Sequence, residues 1–264
     1  MKPILLLAAT LCAFAQQPRI QNAKQETRTP TPTLEAAVRP IIASQTEPAW
    51  IGYSVPRAPR QDDWYDDSSR GCVLEDGHNT TIIRDVNTPV PLEGPANMLV
   101  LFRVSEQKVQ RVRLLAPDCL LDAGGLPFYW FNNVKPSDSV AFLESLSKER
   151  VGNVVYAIAM TRDPAAEAAM NRLVDPSQPD NIRRSAVSWL TSPALERIVS
   201  SDPSDPVREQ AVNVLARRKD PGAIQTVIKA AKEDKSPKVR RQAVAALARS
   251  KDPAAVRFFE DVFK

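Results

Sequence analysis

Apolar residues recur along the last third of the chain with the spacing of a helix face. Val207, Ala211, Val214 and Leu215 fall at i, i+4, i+7 and i+8, which is one stripe of an α-helix. The next stretch repeats the habit with Ile224, Val227, Ile228 and Ala231, and the last with Val256, Phe259, Val262 and Phe263. The pattern is periodic as well as amphipathic. Val207-Arg208, Ala211 and Leu215 return 32 residues later as Val239-Arg240, Ala243 and Leu247, and Asp220-Pro221 returns as Asp252-Pro253. A fixed period of this length predicts stacked helix pairs, because neither helix of a unit could bury its stripe alone.

The expected helix starts share one grammar. Asp205-Pro206, Asp220-Pro221, Ser236-Pro237 and Asp252-Pro253 each set an oxygen-bearing side chain before a proline. Asp or Ser is expected to cap the first free N–H groups, and proline at the first helical position loses no hydrogen bond. Two weaker units precede. Ile182-Arg183, Ala186 and Leu190 stand 25 residues before Val207-Arg208, Ala211 and Leu215, followed by Ser192-Pro193. Before them the stripe Val151, Val154, Val155, Ile158 leads to Asp163-Pro164. About four helix pairs are expected over residues 137–264, beginning with a helix from Val140 to Leu146.

The pattern D-P-x-V-R-x-x-A-x-x-x-L followed by D-P-x-A resembles the bacterial, PBS-lyase-type HEAT repeat. The resemblance implies an α-solenoid of antiparallel helix pairs whose second helices line a concave binding face. It implies a structural role for Arg183, Arg208 and Arg240, each bonding an Asp of a neighbouring repeat, with Asp205, Asp220 and Asp252 on the repeat's acidic side. The chain departs from the family where Ala216 and Ala248 replace the glycine that many HEAT repeats carry after the leucine.

The front half has another texture. Trp50 to Val55 predicts a strand ended by Pro56, and Asn79 to Arg84 a second. Asn97 to Val104 is apolar on both faces and predicts a central strand, followed across Ser105-Glu106-Gln107 by Lys108 to Leu115, a hairpin. Gly124-Gly125 predicts a turn before Pro127 to Phe131. Before all of these, residues 16–48 carry Pro18, Pro30, Pro32, Pro40 and Pro48. They are expected to form a flexible Pro-rich leader with at most a helical turn over Leu34 to Arg39. The fold class expected is α+β, with a β-rich domain over 49–135 and the helical array over 137–264.

Met1 to Ala15 matches a secretory signal. Lys2 is followed by an apolar run and by the small-x-small pattern Ala13-Phe14-Ala15, so cleavage is expected between Ala15 and Gln16. The apolar run is too short to span a bilayer, so no transmembrane anchor is expected, and the protein is expected to be periplasmic or secreted. A lipoprotein reading through Cys12 is weaker, because Leu11 stands where a small residue is wanted. Export leaves Cys72 and Cys119, which an oxidising compartment pairs most simply as a disulfide. Such a bridge would pin the β-rich domain by about 3–4 kcal/mol in the chain-entropy view.

Net charge is +4 over 264 residues, which does not by itself imply nucleic acid. Residues 180–264 are more basic, with 17 Lys and Arg against 11 Asp and Glu. Export argues against a nucleic-acid partner; the charges read first as solvated faces of amphipathic helices, and next as a contact for an acidic protein or envelope polymer. The candidate partner surface comprises Arg217, Arg218, Lys229, Lys232, Phe258 and Val262. Cys72, Glu75, Asp76 and His78 lack the paired spacing of a zinc site. The run Asp62-Asp63-Trp64-Tyr65-Asp66-Asp67 offers four carboxylates without the spacing of a known calcium loop. No cofactor, metal or catalytic constellation is expected. Asn79-Thr80-Thr81 is a glycosylation sequon that suits a strand equally well. The preferred reading is a non-enzymatic protein-binding scaffold. The alternatives are an envelope hydrolase or ligand-binding enzyme with a site at the junction of the two domains, with Asp62 to Asp67 and Asp122 as its acids, and nucleic-acid binding by the basic array. Oligomeric state and partner identity are not legible in the sequence.

Overall fold

The computed structural model describes residues 18–59, 72–75, 96–149, 151–220 and 222–262. The signal segment with its Ala15/Gln16 junction, Asp62 to Asp67, His78, the Asn79 to Arg84 strand with its sequon, and Phe263 all lie outside the described residues. The architecture is α+β. It divides into a sheet unit (1–55 with 61–135) and a helical unit (56–60 with 136–264).

The sheet unit holds β1 (Ile20–Gln21), β2 (Lys24–Arg28), α1 (Leu34–Ser44), β3 (Ala49–Pro56), β4 (Asn97–Ser105), β5 (Lys108–Leu115), β6 (Leu121–Asp122) and β7 (Pro127–Phe131). Five of the strands form one sheet in the order β2-β7-β3-β4-β5, and β1 pairs with β6 in a second, two-stranded one. β2 and β3 both run parallel to β7, whereas β4 and β5 form an antiparallel hairpin. β4 is interior to the sheet and its Met98 to Phe102 run is wholly buried. That is why its sequence shows no polar alternation.

The hairpin turn is Glu106-Gln107, with φ of 53° and 61°. Left-handed backbone at two successive residues belongs to the tight turn that Asn-Gly usually makes. Here Glu106 N–H donates to the Thr46 carbonyl (3.0 Å) and Gln107 N–H to that of Gln45 (2.8 Å). The segment just after α1 therefore satisfies the turn's donors. Gly52 on β3 is required by packing rather than by φ. A Cβ there would lie 2.6 Å from Leu101 Cδ2 and 3.2 Å from the Phe128 ring.

The expected flexible leader is corrected. Residues 24–28 are a strand in register with β7, from Lys24 opposite Pro127 to Arg28 opposite Phe131. α1 runs through Pro40 to Ser44, capped by Thr33 Oγ1, and buries Leu34, Val38, Ile41 and Ile42. The side chains of β2 are all exposed, so its place on the sheet edge rests on main-chain hydrogen bonds that leave no apolar signature.

Cys72 and Cys119 are joined by a disulfide, with Cα atoms 5.6 Å apart. It lies within the core of Trp50, Leu74, Leu99, Leu101, Leu115, Leu121, Phe128 and Trp130. The stretch from Cys72 to Glu75 is held further by main-chain bonds to Asp122, by Arg113 to the Val73 carbonyl and by Arg111 to that of Leu74, both 2.8 Å. Glu75 closes it. Its carboxylate accepts from Trp50 Nε1 at 2.8 Å and forms a two-oxygen ion pair with Arg103.

The helical unit holds α2 (Pro136–Leu146), a 3-10 turn, α3 (Val154–Met160), α4 (Pro164–Leu173), α5 (Asp180–Val187), α6 (Ser192–Ser201), α7 (Asp205–Leu215), α8 (Ala223–Glu233), α9 (Pro237–Arg249) and α10 (Pro253–Val262). From α5 onward the odd-numbered helices pack on one another, and so do the even-numbered ones. The core is a file of small and branched residues: Val187, Val199, Val207, Ala211, Val212, Leu215, Val227, Val239, Ala243 and Leu247.

Candidate interaction surface of the helical array

Three arginines and two aspartates knit the array. Arg183 on α5 is buried. It bonds the Asp202 carboxylate at the end of α6 and the Val174 carbonyl (3.1 Å). Arg208 on α7 is buried as well. It donates to both oxygens of Asp234 at 3.0 Å, to Asp205 at 2.7 Å and to the main-chain carbonyl of Asp202 at 2.7 Å. Arg240 on α9 donates to the main-chain carbonyl of Asp234 at 2.6 Å. Asp202 and Asp234 each follow a second helix. Each takes the arginine of its own pair on the carboxylate and that of the next pair on the carbonyl. Charge-assisted, two-pronged contacts of this kind fix geometry as well as add energy. With the carboxylates alongside, Arg208 is held above its ordinary pKa, first by Asp234.

The same two aspartates also shape the turn. Asp202 Oδ1 accepts from Ser204 N–H (2.9 Å) and Asp234 Oδ1 from Ser236 N–H (2.8 Å). Asp175 does likewise for Ser177, whose hydroxyl also donates to it at 2.6 Å, and that hydroxyl first, then the N–H, lowers its pKa. This is a short side-chain turn that Asp favours. The sequence reading missed Asp202 and Asp234, although they stand 32 residues apart in Asp-x-Ser. The prolines hid them. Aligning Asp205-Pro206 with Ser236-Pro237 slips the register by one residue.

That slip also misplaced the caps. Asp252 caps α10 as expected, accepting from Ala254 N–H at 2.8 Å. Asp205 is instead the first residue of α7, after Ser204, and accepts from Ser236 Oγ at 2.5 Å as well as from Arg208. Its pKa is lowered, chiefly by Ser236. Asp220 accepts from Ser192 Oγ, and α8 begins after Gly222. These oxygens bridge helix pairs rather than cap helices, because a neighbouring pair brings a serine hydroxyl within reach, the following one for Asp205 and the preceding one for Asp220.

The candidate partner surface divides. Arg217, Lys229, Lys232 and Val262 are exposed. Arg218 is turned in, donating to the Leu190 carbonyl at 3.1 Å. Phe258 is buried with Ala254 and Ala255, while Val256 points out. The expected inner stripe of α10 was therefore out of phase, since apolar residues occupy both sides of that helix. Lys232 Nζ sits 5.8 Å from the Phe258 ring centroid. A cleft of about 310 Å³ opens beside the ends of α6 and α8, lined by Asp202, Arg208, Thr226, Lys229, Glu233 and Lys235 among others.

Residues 191–264 match the family model for HEAT repeats. No curated protein and no solved structure matches the chain significantly. The HEAT match covers α6 to α10, the stretch in which the arginine and aspartate contacts recur. HEAT repeats are as a rule non-catalytic and mediate protein–protein contacts.

Two further candidate residues, Cys72 and Asp122, are used structurally. Cys72 is in the disulfide and so presents no thiolate to a metal. The Asp122 carboxylate accepts from Gly124 N–H (2.9 Å) and Asn22 Nδ2 (3.1 Å), closing the turn before β7. No helix of the described residues is long and apolar enough to cross a membrane.

Proposed function

We propose that the protein is an exported, non-enzymatic adaptor that binds another protein through the second helices of a solenoid of about four HEAT-like pairs. The observation that carries the reading is the bonded file of arginines and aspartates at the ends of α6 and α8. A scaffold bonded from pair to pair over α5 to α9 can present a constant surface, and extended solenoid faces are binding surfaces in general. The exposed cations Arg197, Lys229, Lys232 and Arg257 on α6, α8 and α10 favour an acidic partner surface, with steering that weakens as salt rises. The signal-like Met1 to Ala15 and the Cys72–Cys119 bridge support an oxidising compartment.

The test is affinity capture from envelope and medium fractions with the mature protein, in parallel with Lys229→Glu/Lys232→Glu. One or more captured species should be lost with the variant and kept with Arg241→Glu on a first helix. A capture profile identical for all three proteins would sink the proposal. Intact mass of the purified protein tests export: a chain beginning at Gln16 is expected, and an uncleaved one would place it in the cytosol.

A further inference from the structure

The last described helix pair exposes two valines at positions that the pair before it buries. Val212 on α7 is 0 % exposed, while Val244, its counterpart 32 residues on in α9, is 38 % exposed. Ile224 on α8 is 8 % exposed, while Val256, its counterpart on α10, is 54 % exposed. The direction these positions face is set by their neighbours. Val212 shares a helical face with Asp205 and Arg208, which reach Ser236 and Asp234 in the following turn. Ile224 shares one with Lys232, which reaches Phe258 of α10. Val244 and Val256 therefore lie on the face on which a further helix pair would stack. Arg240, counterpart of Arg208, bonds only main-chain carbonyls among the described residues.

This face carries its own complement. Arg240 and Val244 are i, i+4 on α9, and Val256 and Glu260 are i, i+4 on α10. The short connection 250–252 turns α10 back along α9. At ~1.5 Å per residue from that connection, Arg240 and Glu260 stand at similar heights of roughly 13 and 10 Å, and Val244 and Val256 at roughly 8 and 5 Å. A two-fold axis parallel to the helices would set Arg240 of each copy against Glu260 of the other and Val244 against Val256. A closed dimer needs one patch that is complementary to itself, and basic, apolar and acidic positions in this order meet that need.

We infer that the protein self-associates through the outer face of α9 and α10, forming a two-fold dimer joined end to end. The inference is independent of the adaptor reading, which uses the second-helix face. The test is sedimentation equilibrium of the mature, oxidised chain from about 1 to 200 µM. A monomer–dimer equilibrium is expected. Val244→Glu and Val256→Glu each place a charge in the apolar centre and should weaken it about tenfold or more. Both sites are exposed, so circular dichroism should be unchanged. Glu260→Arg, which leaves the bonds of Arg240 to the Asp234 and Lys235 carbonyls in place, should also weaken the dimer. Arg184→Glu, on the exposed side of α5, should leave it as it is. A monomer across the whole range would overturn the inference, as would a dimer indifferent to Val244→Glu and Val256→Glu.

Discussion

Arg208 lays its guanidinium along the Asp234 carboxylate, 26 residues on, with Nε and Nη2 each 3.0 Å from an oxygen. Both side chains are almost wholly buried. The arginine also bonds the Asp202 carbonyl behind it, so one side chain ties α7 to the ends of both α6 and α8.

Arg208→Ala would leave the Asp234 carboxylate buried with a single short turn to satisfy it. Breaking a buried pair from one side costs about 3–5 kcal/mol, and we expect that loss in urea unfolding. Replacing both partners by apolar residues, as in Arg208→Met/Asp234→Leu, should cost less than the sum of the singles. Additive losses would mean that the two groups do not act as a pair.

Stability should fall in acid partly through Glu75. Burial opposes ionisation of Glu75, but Arg103 and the Trp50 indole outweigh it and hold the carboxyl below its ordinary 4.5. A depressed folded-state pKa gives stability that is complete above 4.5 and drains away as pH falls below it. Glu75→Gln should therefore be less stable than wild type at pH 7 and lose less between pH 5 and 3 in thermal melts. Equal acid limbs for the two proteins would show that Glu75 does not contribute.

Reducing the Cys72–Cys119 bridge frees a loop whose ends are 47 residues apart. The sheet unit should lose on the order of 3–4 kcal/mol, while the helical unit keeps its far-ultraviolet signal. The check is a paired melt of native and reduced, alkylated protein. Two units that unfold at unchanged temperatures after alkylation would contradict it.

Gly52→Ala should destabilise the sheet unit by about 1–3 kcal/mol, the usual cost of overfilling a close-packed core. The added carbon meets Leu101, itself fully buried with little room to turn aside. Gly52→Ala with Leu101→Val should recover part of the loss, measured by denaturant midpoint. No recovery would mean that the strain lies elsewhere.

The helices of the array were legible because their information is local. Apolar stripes with a period of 3.6 residues and prolines at helix starts need no distant partner to be read. The β4–β5 hairpin was legible for the same reason. β2 was not, because Lys24 to Arg28 shows solvent on both faces and owes its place to main-chain bonds with β7. α1 ran past its expected end because Ile41 and Ile42 continue the stripe of Leu34 and Val38 beyond Pro40.

The sequence by itself determined the number and rough bounds of the later helices, their period, the pairing candidates Cys72 and Cys119 and the residues that recur as Arg183, Arg208 and Arg240. Only the tertiary structure decided which carboxylates those arginines meet, that Asp205 and Asp220 bridge pairs instead of capping helices, and that Phe258 lies inside while Val256 lies outside. The physical reason is that a stripe states how a helix is amphipathic, whereas its phase and its polar partners depend on the helix that stacks beside it.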